Sequence, residues 1–115
     1  MKSLLFCLVI FSTVAAEKCK KAKDDLTPSC IMQKIDQIKK EPKWNPPATV
    51  KEFNYKGKKV YYFSAQCCDQ YDAVYDENCN FICAPGGGFT GKGDGMCADF
   101  NREAKEIRVV WKDER

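Results

Sequence analysis

The sequence predicts a small α+β domain in which one N-terminal helix packs on an antiparallel sheet. We expect disulfides to cross-link this domain, which also has a glycine-rich loop. One segment has apolar residues at helical spacing, and several short β-prone segments follow it, which is the order typical of an α+β fold. The chain also has 8 cysteines in 115 residues, and cross-links stabilise a core of this size.

Residues 1–16 have the pattern of a secretory signal. Lys2 precedes an apolar run at residues 4–11, and small residues follow up to Ala16. The run is too short to cross a membrane, which takes about 20 residues. We therefore expect a secreted protein without a membrane span, whose residues 17–115 form a single domain.

A helix is predicted after the charged arm that follows the signal. Thr27 is placed to cap it, Pro28 suits its first position, and Pro42 ends it. Leu26 is expected to pack against Ile31 as a hydrophobic staple. Three isoleucines at helical spacing form the buried stripe: Ile31, Ile35 and Ile38.

Strands are predicted in the rest of the chain. The segments TVKEFNY and KVYYFSA form a hairpin that turns at Lys56-Gly57, and a second turn lies at residues 77–80. A short helix is expected near residues 99–105. The closing segment EIRVVWK alternates, which points Ile107, Val109 and Trp111 towards the core. Trp44, in a proline-rich connection, is expected to pack over the edge of the core.

Seven cysteines follow the signal, and export favours disulfides over free thiols. Cys67 and Cys68 are adjacent, so each is expected to bond to a different, distant cysteine. Seven is an odd number, and Cys19 is the expected spare, a candidate for a disulfide-linked homodimer, with Cys79 as the rival. The candidates for bridges within the chain are Cys30, Cys67, Cys68, Cys79, Cys83 and Cys97.

The stretch GGGFTGKG matches parts of two phosphate-binding patterns. A P-loop requires Ser or Thr after the lysine, and here Gly93 follows Lys92. The next residues, Asp94 and Gly95, disfavour the helix that such a site needs. We therefore expect a compact loop between Cys83 and Cys97, with glycines at positive φ, and no nucleotide binding.

The acidic side chains of the second half are candidate calcium ligands, although no window has the spacing of an EF-hand. The chain has no histidine, which excludes triads and Cys-His pairs, so we expect no enzyme and no other cofactor. A net charge of +3 in an exported protein also argues against nucleic acid as a partner. The calcium candidates are Asp69, Asp72, Asp76, Glu77, Asp94 and Asp99.

The chain resembles a family of small exported proteins whose domain has no known function. This resemblance implies the same fold and a lineage separate from nucleotide enzymes, but it implies no activity. Cys79 departs from the family pattern, in which glycine is common at this position. The resemblance is carried by Trp44-Asn45-Pro46-Pro47, Tyr55-Lys56-Gly57-Lys58, Cys67-Cys68-Asp69, Tyr75-Asp76, Gly87-Gly88, Gly91-Lys92-Gly93-Asp94-Gly95, Asp99-Phe100, Trp111 and Arg115.

Two functions from different classes follow from these features. The first is a non-enzymatic structural or matrix component of a mineralised or fibrous extracellular layer, in which the acids meet calcium. The second is a soluble extracellular binding module, such as a protease inhibitor, that presents the loop at residues 84–97. In both cases the partner is an extracellular protein or matrix.

The signal predicts one defined N-terminus. N-terminal sequencing or intact mass of the native secreted protein should show a chain that starts at Glu17, because cleavage follows Ala16. A native protein that retains residues 4–11 would contradict this prediction.

Overall fold

Residues 26–115 are described by a computed structural model, and both Cys19 and the predicted signal lie outside this part. The elements are α1 Ser29–Lys39, β1 Thr49–Tyr55, β2 Lys58–Phe63, β3 Ala73–Tyr75, β4 Phe81–Cys83, α2 Phe100–Glu103 and β5 Lys105–Lys112. The five strands form one sheet in the order β4-β3-β2-β1-β5, with every neighbouring pair antiparallel. This confirms the predicted α+β fold. No helix within residues 26–115 is long and apolar enough to cross a membrane.

Helix α1 covers one face of the sheet with the predicted isoleucine stripe. Ile31 and Ile35 are fully buried, and Ile38 is partly buried at the margin of the same cluster. Burial of side chains this size contributes about 1.5–3 kcal/mol each, so the stripe holds the helix on the sheet. The strand residues that pack against this stripe are Val50, Tyr61 and Phe63.

The start of α1 differs from its prediction. Pro28 takes the capping position, and no side chain caps the helix. The hydroxyl of Thr27 accepts a hydrogen bond from Arg108 Nη2 (2.5 Å), so Thr27 is a partner of β5 and not a cap. Leu26 is largely exposed, so the predicted staple to Ile31 is wrong as well.

The second face of the sheet is covered by the connection from β4 to β5, residues 84–104. Phe100, in α2, is buried there and packs its ring against Phe53 and Tyr55 at centroid distances of 5.2 Å. The strands therefore bury apolar residues on both sides. The buried cluster on this face comprises Tyr55, Val60, Val74, Cys83, Cys97 and Phe100.

Strand β5 also differs from its prediction. Ile107 and Val109 are exposed, whereas Trp111 packs on the cluster under α1 and Arg108 reaches Thr27. The register of β5 against β1 shifts twice, which breaks the strict alternation of faces that the sequence pattern assumes. The predicted strand is confirmed, but its buried set is wrong for Ile107 and Val109.

A buried carboxylate fixes β5 to β1. The Glu52 side chain is only 4% exposed and accepts a hydrogen bond from Arg108 Nε (2.5 Å). Lys59 Nζ lies 3.8 Å from the same carboxylate. Arg108 on β5 thus contacts both β1 and Thr27, two residues before α1, and its removal would leave Glu52 buried with weaker compensation.

Three disulfides involve all six cysteines of the described part. Cys30–Cys79 ties α1 to the β3–β4 turn, and Cys83–Cys97 spans the glycine-rich loop. Cys79 is therefore not the spare cysteine. Cys67 bonds to Cys68, which corrects the prediction that each has a distant partner. The four other described cysteines pair with one another, and a turn closed by Gln70 N–H to Cys67 O (2.9 Å) holds the adjacent pair.

Arg115, near the C-terminus, hydrogen-bonds to backbone carbonyl groups at the end of α1. Arg115 Nη1 donates to the carbonyl oxygens of Lys39 and Glu41, each at 3.0 Å, at the end of the helix where backbone acceptors lack helical partners. The buried Asp113 carboxylate accepts from Arg115 Nε (2.9 Å) and Nη2 (2.7 Å). These hydrogen bonds lower the pKa of Asp113 to about 2.

Asp113 should make stability depend on acid. Its folded pKa lies below the unfolded value of about 3.9, so its stabilisation is complete well above pH 4 and is lost as the pH falls towards 2. Asp113→Asn should lower the urea midpoint at pH 7 and flatten its decrease below pH 4. The matched control is Asp36→Asn, which loses only an exposed contact to Lys39 and should change stability by less than about 1 kcal/mol. Parallel acid profiles for Asp113→Asn and the wild type would contradict the prediction.

Candidate functional site

The glycine-rich loop, residues 84–97, is closed at its base by covalent and hydrogen bonds. The Cys83–Cys97 disulfide joins its ends. Asp94 pairs with Ala84 in both directions, because Asp94 N–H donates to Ala84 O (2.9 Å) and Ala84 N–H donates to Asp94 Oδ2 (3.1 Å). Further in, Gly93 N–H donates to Gly87 O (3.0 Å). The predicted compact loop between two cysteines is confirmed.

The segment before β3 clamps the loop from one side. Gly88 N–H donates to Gln70 O (3.0 Å), and Asp72 N–H donates to Gly86 O (3.1 Å). The ring of Tyr71 lies so close to Gly88 that a Cβ at this position would overlap it. The loop is therefore held by the β2–β3 connection as well as by its own base.

Glycine is required at Gly87 and Gly93 for two reasons. Both residues have positive φ, at 74° and 75° respectively, a conformation that side chains disfavour. A Cβ at Gly87 would overlap Gln70 O, and one at Gly93 would overlap Ala84 O. Both obstacles are backbone atoms, which cannot rotate away. The predicted positive φ angles are confirmed.

The loop carries its most exposed apolar side chain at its apex. Gly91 N–H donates to Gly88 O (3.1 Å), which closes a tight turn around Phe89 and Thr90. The Phe89 side chain is 91% exposed, and Met96, near the base of the loop, is 70% exposed. The apex thus combines a fixed backbone with an aromatic ring in solvent.

The loop backbone is not arranged as a phosphate cradle. The amides of Gly88, Gly91 and Gly93 all donate to carbonyl oxygens of the chain, so they do not face an anion. The next helix, α2, begins only at Phe100 and has four residues. The absence of nucleotide binding stays a prediction, and this geometry supports it.

The six candidate calcium ligands do not come together in one site. Within residues 26–115 no three carboxylates or thiols form a group that could hold a metal ion. Asp69 and Glu77 are exposed on turns. The other four accept hydrogen bonds from their own surroundings: Asp72 from Tyr62 and Ala65, Asp76 from Asn78 and Asn80, Asp94 from Ala84 and Met96, and Asp99 from Tyr55.

These hydrogen bonds lower the pKa of two of the carboxyl groups. Hydrogen bonds from Asn80 and Asn78 lower the pKa of Asp76, and the Tyr55 hydroxyl, with Lys56 beside it, lowers the pKa of Asp99. Lys56 Nζ lies 3.1 Å from Asp99 Oδ2. These carboxylates thus act as acceptors that fix turns and the second face of the sheet.

The sequence and this geometry can be set beside known proteins. Residues 36–113 match the family model described as Domain of unknown function (DUF6970). The chain belongs to this family. Neither a curated protein nor a solved structure matches it. The DUF6970 match begins within α1 and ends at Asp113, so it spans all five strands, the clamped loop and α2.

Phe89 is the most exposed apolar side chain on this loop of the DUF6970 domain, and it is not among the residues predicted from the glycine motifs. The sequence does carry a signal for it, since Phe89 is the only large apolar residue in the run between Pro85 and Gly95. Glycine neighbours have no side chains with which to bury a large apolar residue.

The overlap at Gly93 predicts an unequal cost for two alanine substitutions. Gly93→Ala should destabilise the domain by about 1–3 kcal/mol more than Gly91→Ala. Both residues have positive φ, but a Cβ at Gly91 meets no atom within 4 Å, so Gly91→Ala tests the backbone cost alone. Urea unfolding of both variants and the wild type measures the difference. Equal losses would show that the close approach to Ala84 has no consequence.

Proposed function

We propose that this protein is a secreted, non-enzymatic binding module that holds another extracellular protein at the apex of its 84–97 loop. One observation carries the proposal: Phe89 is 91% exposed on a loop that is fixed at its base, side and apex. Solvent exposure of such a ring is unfavourable in the free protein, and burial in a partner's apolar pocket would relieve it.

The rigidity of the loop supports binding because it lowers the entropy that association costs. A flexible loop would lose backbone freedom on binding. This loop is already ordered by the Cys83–Cys97 disulfide and by the hydrogen bonds of Asp94 to Ala84 and of Gly88 to Gln70. Aromatic residues at the centre of an interface often dominate its affinity. Phe89 is therefore the expected centre of the interface, with Thr90 and Lys92 at its rim.

The turn at the apex also indicates which kind of partner fits. A protease binds a substrate-like inhibitor as an extended strand. Here the hydrogen bond from Gly91 N–H to Gly88 O closes a tight turn that contains Phe89. Phe89 would enter a pocket as the tip of a turn. A partner with a single apolar pocket matches this geometry better than a protease cleft does.

The matrix hypothesis has less support from the arrangement of the chain. It depended on Cys19, which lies outside the described residues, and on acids gathered around calcium. Four of those acids are engaged in hydrogen bonds of the fold. Secretion is supported by the predicted signal and is consistent with three disulfides.

Phe89→Ala should weaken binding of the partner. Immobilised wild-type protein is exposed to the extracellular fluid of its source, and a captured protein is purified and titrated by calorimetry. Because truncation of a central aromatic residue costs about 2 kcal/mol or more, the dissociation constant should rise about 30-fold or more.

Phe81→Ala is the matched control, since Phe81 is also an exposed phenylalanine but lies on β4, before the loop begins, with its ring against Tyr75. It should bind as the wild type does. A partner that binds the Phe89→Ala and wild-type proteins equally, or no captured protein at all, would overturn the proposal.

A further inference from the structure

We infer a second binding site, which is independent of the proposed function: the groove between α1 and residues 64–71 binds a neutral saccharide. The groove has a volume of about 290 Å³, close to the lower end of small-ligand pockets, which begin at about 300 Å³. Its apolar lining includes Ile38, Phe63 and Ala73. We call it the α1 groove.

Besides Phe63, three aromatic side chains line the α1 groove: Trp44, Tyr71 and Tyr75. Trp44 comes from the connection after α1, Tyr71 from the β2–β3 connection and Tyr75 from β3. Trp44 is half-buried and Tyr71 is exposed, so both of these rings have area open to a ligand. Tyr75 is also half-buried, and Lys34 covers one face of its ring. Flat aromatic faces of this kind bind flat apolar surfaces, including the C–H face of a sugar ring.

The two charged residues of the α1 groove, Lys34 and Glu41, each already interact with one of its aromatic side chains. Lys34 Nζ lies over the Tyr75 ring, 4.2 Å from its centroid. The Glu41 carboxylate accepts a hydrogen bond from Trp44 Nε1 (2.8 Å), which also orients the indole. One positive and one negative group leave no net charge in the groove. A strongly anionic or cationic ligand therefore gains no charge complementarity here.

The remaining polar groups are uncharged amides. Gln37 on α1, and Gln66 and Gln70 on the opposite wall, line the groove, and their side chains make no hydrogen bond to another residue within 26–115. Each amide offers both a donor and an acceptor. Hydroxyl groups pair well with such amides, since each hydroxyl also donates and accepts.

Apolar faces bordered by neutral donors and acceptors match the surface of a sugar ring. A purely apolar ligand would leave the amides without partners in the closed complex, which is costly. An uncharged peptide is the nearest rival, but it needs a sheet edge or a row of backbone acceptors. The sheet edges are β4 and β5, whereas the groove lies over β2 and β3 and takes its other wall from side chains of α1.

The test uses the full secreted chain and four neutral tetrasaccharides, the β-1,4-linked oligomers of glucose, N-acetylglucosamine, mannose and xylose. Calorimetry should show saturable binding of at least one of them. Trp44→Ala should weaken that binding at least 10-fold, and Gln37→Ala, on the exposed surface of α1, should weaken it about 3-fold to 10-fold. Trp44→Phe should retain most of the affinity, because it keeps an aromatic face.

Phe89→Ala separates this site from the loop apex and should bind the saccharide as the wild type does. The inference is overturned if no tetrasaccharide binds at millimolar concentration, or if Trp44→Ala and Gln37→Ala bind normally. It is also overturned if a sulfated tetrasaccharide binds more tightly than the neutral ones, or if an uncharged acetylated tetrapeptide binds where no saccharide does.

Discussion

The sheet has two faces to bury, and the described chain supplies only one long helix to cover them. Helix α1 buries one face with its isoleucines, so the other must be closed by residues 84–104, which are mostly loop. A loop has unpaired backbone groups, and these need partners before it can lie on a core. The disulfide Cys83–Cys97, the paired Asp94 and the glycines at positive φ all follow from this single requirement.

The same requirement explains why a glycine pattern typical of nucleotide sites occurs in a domain whose described strands all pair antiparallel. Phosphate loops and covering loops both need glycine, because in both cases the backbone must approach another group closely. What differs is the use of the amides. In a phosphate loop they point at the ligand, whereas those of Gly88, Gly91 and Gly93 donate to carbonyl oxygens of the chain itself. Glycine spacing alone does not distinguish the two.

Features that depend on neighbouring residues could be predicted from the sequence. The stripe of α1, the turn at Lys56-Gly57 and the loop between Cys83 and Cys97 are encoded within a few positions and were confirmed. Features that depend on distant partners could not. Thr27 has the chemistry of a cap, but Arg108, 81 positions away, takes its hydroxyl. The burial of β5 depends on register shifts, and the exposure of Phe89 depends on what the loop covers.

The strand order also determines how far the chain must reach while it folds. Strands β1 to β4 are neighbours in both sequence and space, so their pairings close short loops, whereas β5 pairs with β1 across the whole intervening chain. Contacts of long sequence separation are the slow ones to form. The edge of β1 therefore stays open until residues 84–104 have crossed the second face and brought β5 into place. During folding, this open edge is where a second, unfinished chain could add a strand.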